Sequence, residues 1–245
     1  MYAGDMKDKP RNSRLILKAV SHSYGSLSVI DDFNLEVFPN EVVVLVGPSG
    51  CGKTTILSLL SGYLKPDSGS VIREGVIRTV YQQDGLYPWL TVTENIRLGL
   101  RSIQDPDLIH KEMTELINLI HLEGFEDHYP HQLSGGMRQR VELARVLAGK
   151  SDILLMDEPF SALDYQTRLR LRRELGRILE IRPRTVVFVT HDIEEAAQLA
   201  DRVMVLSNRP AQIQKILSIS APRPRKLTDP AVIDAMKEIL TQLGL

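Results

Sequence analysis

The run Val42-Val43-Val44-Leu45-Val46 passes without a break into Gly47-Pro48-Ser49-Gly50-Cys51-Gly52-Lys53-Thr54-Thr55. Consecutive β-branched and aliphatic residues read as a strand buried on both faces, which places it inside a sheet covered by helices. The glycines then let the backbone wrap closely around an anion, where side chains would clash or demand an unfavourable φ. Lys53 to Leu60 reads as the helix that follows. A strand, a glycine loop and a helix in this order aim successive N–H groups and the positive end of a helix dipole at one point. The group that fits there is phosphate. Lys53 is expected to reach β- and γ-phosphates, and Thr54 to offer its hydroxyl to Mg²⁺.

A second apolar strand, Ile153-Leu154-Leu155-Met156, ends in Asp157-Glu158-Pro159. Open α/β sheets place ligand-binding groups at such strand ends. A carboxylate at Asp157 can hold Mg²⁺ through its water shell. Glu158 is placed to orient or deprotonate an attacking water. His191 follows a third strand, Val186-Val187-Phe188-Val189-Thr190, either as an ordinary first residue before a helix or as a sensor of γ-phosphate. Cys51 is either a redox-active thiol at a helix N-terminus or a small side chain tolerated in the loop; its alkylation is expected to block nucleotide.

The rest of the chain alternates strands and helices around a different middle. Residues 1–12 read as a flexible lead. Strands are expected from Leu15 to Val20, from Val29 to Phe38, and near 70–73 and 76–81, with a turn at Tyr24-Gly25. From about 93 to 149 three periodic stretches follow, near 93–99, 105–122 and 135–149. In the second, Leu108, Met113, Leu116, Ile117 and Ile120 recur at near-helical spacing. This middle reads as a helical insertion in an α/β core. Strand and helix then resume at 153–157, 166–181, 185–190, 192–199 and 203–206. A polar, proline-bearing stretch from 208 leads to a short amphipathic helix over about 229–241, carrying Val232, Met236, Ile239 and Leu240.

Composition closes off several classes. The 245 residues carry 30 basic and 31 acidic side chains, a formal net charge of -1, which gives no long-range attraction to nucleic acid. The Arg-rich segment 168–184 is interrupted by acids and reads as a solvated helix face. One cysteine excludes an intrachain disulfide and a cysteine zinc cluster, consistent with a reducing compartment. The first ten residues are polar, unlike a signal peptide, and no stretch approaches the 18 or so apolar residues that span a bilayer.

Between the two chemical motifs lies Leu133-Ser134-Gly135-Gly136-Met137-Arg138-Gln139-Arg140. Together these pieces resemble an ATP-binding-cassette ATPase, the nucleotide-binding subunit of a membrane transporter, over roughly residues 14–210. The resemblance implies an α/β P-loop core with a mixed sheet, an N-terminal antiparallel β subdomain and a helical subdomain inserted at about 84–149, followed by a C-terminal extension over 211–245. It also assigns roles. Tyr24 corresponds to the aromatic residue that stacks on adenine; read alone, it could equally be a strand-end aromatic packing on the core. Gln82 corresponds to the glutamine linking the metal to the helical insertion. Ser161-Ala162-Leu163-Asp164 corresponds to the loop crossing the dimer interface, and His191 to the switch histidine. Ser134, Gly135 and Gly136 alone would be an N-cap; in the family they face the nucleotide of the opposite subunit.

The resemblance therefore implies two chains meeting head to tail over two ATP and Mg²⁺, bound to an integral permease on the cytoplasmic face of a bacterial inner membrane, with a solute-binding protein beyond it. The segment Asp84-Gly85-Leu86-Tyr87-Pro88-Trp89-Leu90-Thr91-Val92 and the tail Arg223-Pro224-Arg225 resemble the importers for nitrate, sulfonates and taurine. Trp89 is read as a partner contact or as core. Between Gly69 and Gln82 the chain is some eight residues shorter than is usual in the family, an expected loss of an edge hairpin. An exporter or lipid-trafficking ATPase would present nearly the same sequence. A soluble ATPase outside transport would be expected to carry two cassettes or an inserted coiled coil.

Overall fold

The computed structural model describes residues 14–81 and 85–245. The expected N-terminal lead, together with Gln82 and Asp84, lies outside the described residues. Strands β1 (Leu15–Tyr24) and β2 (Leu27–Val37) form an antiparallel hairpin. β3 (Val42–Val46) leads through the glycine loop into α1 (Lys53–Ser61). β4 (Ser68–Arg73) returns to pair with β1, giving a three-stranded antiparallel sheet of order β2-β1-β4. β5 (Ile77–Val80) opens the second sheet.

The helical middle comprises α2 (Val92–Arg97), α3 (Pro106–Ile120) and α4 (Gly135–Leu147). Local chemistry sets their starts. Thr91 and Glu94 form a reciprocal capping box on α2, and Asp105 caps α3 with Pro106 at its first position. Then come β6 (Ile153–Asp157), α5 (Tyr165–Ile181), β7 (Thr185–Thr190), α6 (Ile193–Leu199), β8 (Arg202–Leu206), β9 (Ile213–Ser218) and α7 (Pro230–Leu243). The second sheet has the order β5-β6-β7-β3-β8-β9, parallel except for β9.

The central strands divide the protein into two cores. In β3, Val42, Val44 and Val46 face the helices, while Val43 and Leu45 face α1 and the antiparallel sheet. β6 repeats this with Leu154 and Met156 against Ile153 and Leu155, and β7 with Val186 and Phe188 against Val187 and Val189. A period of two across a sheet covered on both sides explains why these strands read as unbroken apolar runs.

Four sequence expectations need adjustment. The polar stretch after 208 contains β9, an edge strand whose outer residues are exposed, so alternation was masked by solvent-facing polar groups. Leu108 is exposed although Leu116, Ile117 and Ile120 are buried. The helix face expected to be solvated at 168–184 buries Arg172 completely, paired with Glu194 at 2.9 Å and Asp192 at 3.7 Å. Of the two readings of Trp89, core packing fails: the ring is 68% exposed, tilted against Tyr87 at 5.4 Å between centroids.

The C-terminal residues are fastened to the end of α6. Arg225 is buried and donates to the carbonyls of Ala221, Ala197, Ala200 and Ile219, while Gln198 Nε2 donates to its own carbonyl. Two of these carbonyls, those of Ala197 and Ala200, belong to the C-terminus of α6, where the last carbonyls have no partner within the helix. Burial lowers the Arg225 pKa, but the group stays charged because its ordinary value is so high.

Candidate active site

β6, β7 and β3 are parallel neighbours, so the residues after each strand emerge side by side at one edge. They open onto a cleft of about 620 Å³. Tyr24, Leu27, Val29, Ser49, Gly50, Gly52, Lys53, Thr54, Thr55, Glu158, His191 and Arg209 line it. Of the expected residues the cleft gathers Tyr24, Ser49, Gly50, Gly52, Lys53, Thr54, Thr55, Glu158 and His191 from four separate stretches of chain, and Arg209 joins them from a fifth. Tyr24, half exposed at the end of β1, supplies an aromatic wall.

The floor is the start of α1. Its N-cap is Gly52, with φ 120°, and no side chain caps the helix. A Cβ at Gly52 would sit 3.0 Å from Val29 Cγ1 in a conformation that L side chains rarely adopt. The first-turn amides are therefore free of a side-chain acceptor, which suits an anion. Lys53 is buried, and its Nζ donates to the carbonyls of Gly47 at 2.8 Å and Pro48 at 2.9 Å. Gly47 and Pro48 do not line the cleft; they hold the lysine. Cys51 corrects an expectation. Its side chain is 1% exposed and packs into the core behind the loop, so only its backbone can serve the site and its thiol is shielded from reagents.

Asp157 is buried, and burial raises its carboxyl pKa; Thr54 hydrogen bonding opposes this, the charge of Glu158 adds to it, and Lys53 counteracts it. Among the described residues no group of three or more His, Cys, Asp or Glu could hold a metal by itself. A hydroxyl and a carboxylate already in contact are oxygen donors of the kind Mg²⁺ uses when phosphates complete its shell. The donor set fits that ion.

Glu158 has φ 46°, a left-handed conformation that costs a non-glycine residue about 1–2 kcal/mol. Neighbours hold it there. Its N–H donates to Val189 O at 3.0 Å, and its carbonyl accepts from Gln139 Nε2 at 3.1 Å. Its Oε1 lies 3.0 Å from His191 Nδ1. The His191 side chain is 62% exposed, at the open edge of the cleft. The strained turn therefore aims the carboxylate outward, beside the histidine.

Ser134, Gly135, Gly136 and Asp164 do not line the cleft. Ser134 caps α4, its Oγ accepting from Met137 N at 3.2 Å. Asp164 caps α5, accepting from Thr167 N at 3.0 Å, and its pKa is lowered by hydrogen bonding from Thr167. These two helix starts are close to each other: a Cβ on Gly136 would lie 3.0 Å from Ala162 O. Gln139, 5% exposed, links them to the acidic turn by accepting from Ala162 N at 3.0 Å while donating to Glu158.

Two contributors were missed in the sequence. Glu142, fully buried, accepts from Tyr81 N at 3.4 Å and Gly85 N at 3.3 Å, on either side of Gln82, and Arg145 Nη1 donates to Gly85 O at 2.8 Å. A glutamate among Val141, Leu143 and Ala144 on α4 was the available signal. Arg209 had none, standing outside every motif.

A family model described as ABC transporter matches residues 30–161. The chain belongs to the ABC transporter family. An uncharacterized ABC transporter ATP-binding protein of Methanocaldococcus jannaschii is 45% identical over 237 residues, covering 93% of this chain and 89% of that protein. An aliphatic sulfonates import ATP-binding protein of Bacillus cereus is 37% identical, covering 93% of each. The solved dimeric structure of a bacterial ABC transporter cassette superposes with a TM-score of 0.75 at 32% identity, over 84% of this chain and 99% of that one. The fold agrees with the family: a P-loop α/β core with a mixed sheet and an inserted helical subdomain. This chain is the ATP-binding, ATP-hydrolysing subunit of an ABC transporter. Among its described residues no helix is long and apolar enough to cross a membrane.

Proposed function

We propose that two copies of this chain, meeting head to tail, hydrolyse ATP to drive import of a small anionic or zwitterionic solute of the nitrate, sulfonate or taurine type through a membrane permease. The observation that carries the dimer is the separation within one chain of the cleft from Ser134-Gly135-Gly136. Both offer a helix start to an anion, and they do not share a pocket. A second copy, turned end for end, would bring its α4 over the first copy's cleft.

Lys53 and the α1 amides bind the phosphate chain. Mg²⁺, when bound to Thr54 and Asp157, neutralises the charge that develops on the oxygens. Glu158 orients the attacking water and receives its proton, and His191 holds the geometry at the transferred phosphate. Tyr24 stacks on the base. Asp164 couples the two interfaces. Closure and reopening of the dimer then move the helical subdomain against the permease.

Import and the solute class rest on the sulfonate importer subunit, which this chain matches almost end to end, and on the exposed Tyr87-Trp89 pair beside the Arg145 guanidinium, 5.9 Å from the Tyr87 ring. These groups suit a docked permease segment at the cytoplasmic surface of the membrane. The solute itself is chosen by the permease and its external binding protein. The test is reconstitution with the co-encoded permease in liposomes. ATP-dependent uptake of a sulfonate, taurine or nitrate, abolished by Glu158→Gln, is the expected result. Outward transport, or uptake unaffected by that substitution, would contradict the proposal.

A further inference from the structure

The nucleotide cleft has a cationic wall that no motif of the family reading covers. β8 is the neighbour of β3 on the side away from β7, and the two run parallel, with Val46 opposite Val205. The turn leaving β8 therefore flanks the glycine loop from the side opposite Glu158 and His191. It carries Asn208, Arg209 and Pro210, all exposed.

The base of this turn is fixed. Ser207 N donates to Gln212 O, Ser207 Oγ accepts from Gln212 N at 3.0 Å, and Ala211 N donates to Val29 O at 2.8 Å. Ala211 is fully buried against the start of α1, 3.5 Å from where a Cβ of Gly52 would be. Arg209 itself lines the cleft, its Nη2 4.0 Å from the position of a Cβ on Gly50. Among the described residues its guanidinium makes no hydrogen bond or ion pair, in contrast to Arg168, Arg172, Arg202, Arg223 and Arg225, which are all engaged. A rigid turn presents an uncommitted fork of donors to the phosphate loop.

We propose that Arg209 is a nucleotide ligand that pairs with the non-transferred α- and β-phosphates. The inference rests on the ATPase reading above. A guanidinium matches phosphate oxygens in charge and in fork geometry. Its place, between the Tyr24-Val29 wall and Gly50, puts it beside the phosphates nearest the base. Glu158 and His191, to which the proposed mechanism assigns the γ-phosphate, are across the loop. A contact made equally before and after transfer supplies uniform binding, so it acts on affinity and not on turnover.

Titration calorimetry with Mg·ADP and Mg·ATP on the full chain tests this, with Lys53→Ala as reference. Arg209→Ala is expected to weaken both nucleotides by a similar factor, about tenfold, the size typical of a charged hydrogen bond. Arg209→Lys should recover part of the loss and Arg209→Gln none. KM for ATP should rise by the same factor with kcat at saturation within twofold. Unchanged melting temperatures without nucleotide would exclude a folding effect as the cause. ADP affinity within twofold of the unsubstituted chain, or a loss confined to kcat, would overturn the assignment. Absence of nucleotide binding by the unsubstituted chain would instead overturn the ATPase reading on which it rests.

Discussion

The starts of α1 and α4 are both anion-seeking helix termini, yet they are finished differently. α1 begins at a glycine with no side-chain cap, inside a cleft furnished with Lys53, Thr54, Glu158 and His191. α4 begins at Ser134, which satisfies Met137 N with its own hydroxyl, and it lies outside that cleft. The first terminus is left open for a ligand that arrives with the substrate. The second is stable without one and becomes useful only when something is brought to it. On the proposed reading, the difference between the two caps separates nucleotide capture from dimer closure.

Separating chemistry from capture should give the largest effect. Glu158→Gln is expected to cut turnover by about 10²–10⁴-fold, the usual range for a general base, while leaving ATP affinity within a few-fold; steady-state hydrolysis and calorimetry read the two. Gly135→Asp attacks the second terminus alone. A Cβ there would meet only Arg138 Nη2, at 3.9 Å, and the backbone φ is not left-handed. An acid in a first turn favours the helix by a few tenths of a kcal/mol, about 0.3–1. The variant should melt no lower than the parent and bind ADP normally as a monomer. Its hydrolysis should nevertheless fall by about two orders of magnitude, because the carboxylate repels the partner's triphosphate. Unimpaired hydrolysis would erase the distinction between the two termini. Lys53→Ala attacks the first, with an expected loss of about 10- to 100-fold in affinity for ATP even in the monomer.

The smallest effect concerns the support beneath His191. Glu195 is buried, accepts from Thr190 Oγ1 at 2.6 Å, and has its pKa raised to about 7, chiefly by desolvation. Asp192 raises it further; Thr190, Arg172 and Arg168 oppose the rise. The folded chain then binds a proton more tightly than the unfolded chain. Stability should fall as pH rises from about 4.5, the unfolded value, to about 7, and stay level above, by a few kcal/mol at most. Glu195→Gln should flatten that slope and raise the melting temperature more at pH 8 than at pH 5. A slope identical in both would contradict this account.

How far the sequence reaches follows from where each residue's signal comes from. Lys53, Asp157 and Glu158 could be found because a phosphate loop and an acidic strand end need fixed residues at fixed spacing. The strands could be found because two covered faces demand apolar side chains at every position. β9 escaped because it is an edge with one wet face. Cys51 fits the small side chain tolerated in the loop, but its thiol was expected to be reachable by reagents because loop position does not say which way a side chain points. Gln139 lay in the quoted signature, but its bond to Glu158 depends on packing of α4 against a turn 19 residues later. Arg172 and Arg225 were hidden because charge suggests solvent, and only the assembled fold supplies the carboxylates and helix-end carbonyls that make their burial tolerable.

The claim beneath all of this is that α4 of one copy completes the cleft of another. Sedimentation of the Glu158→Gln chain answers it most directly. With saturating Mg·ATP the 27.6 kDa chain should move at twice its mass, and with Mg·ADP it should return to monomer. A species that stays monomeric while calorimetry shows its ATP site filled would contradict the account.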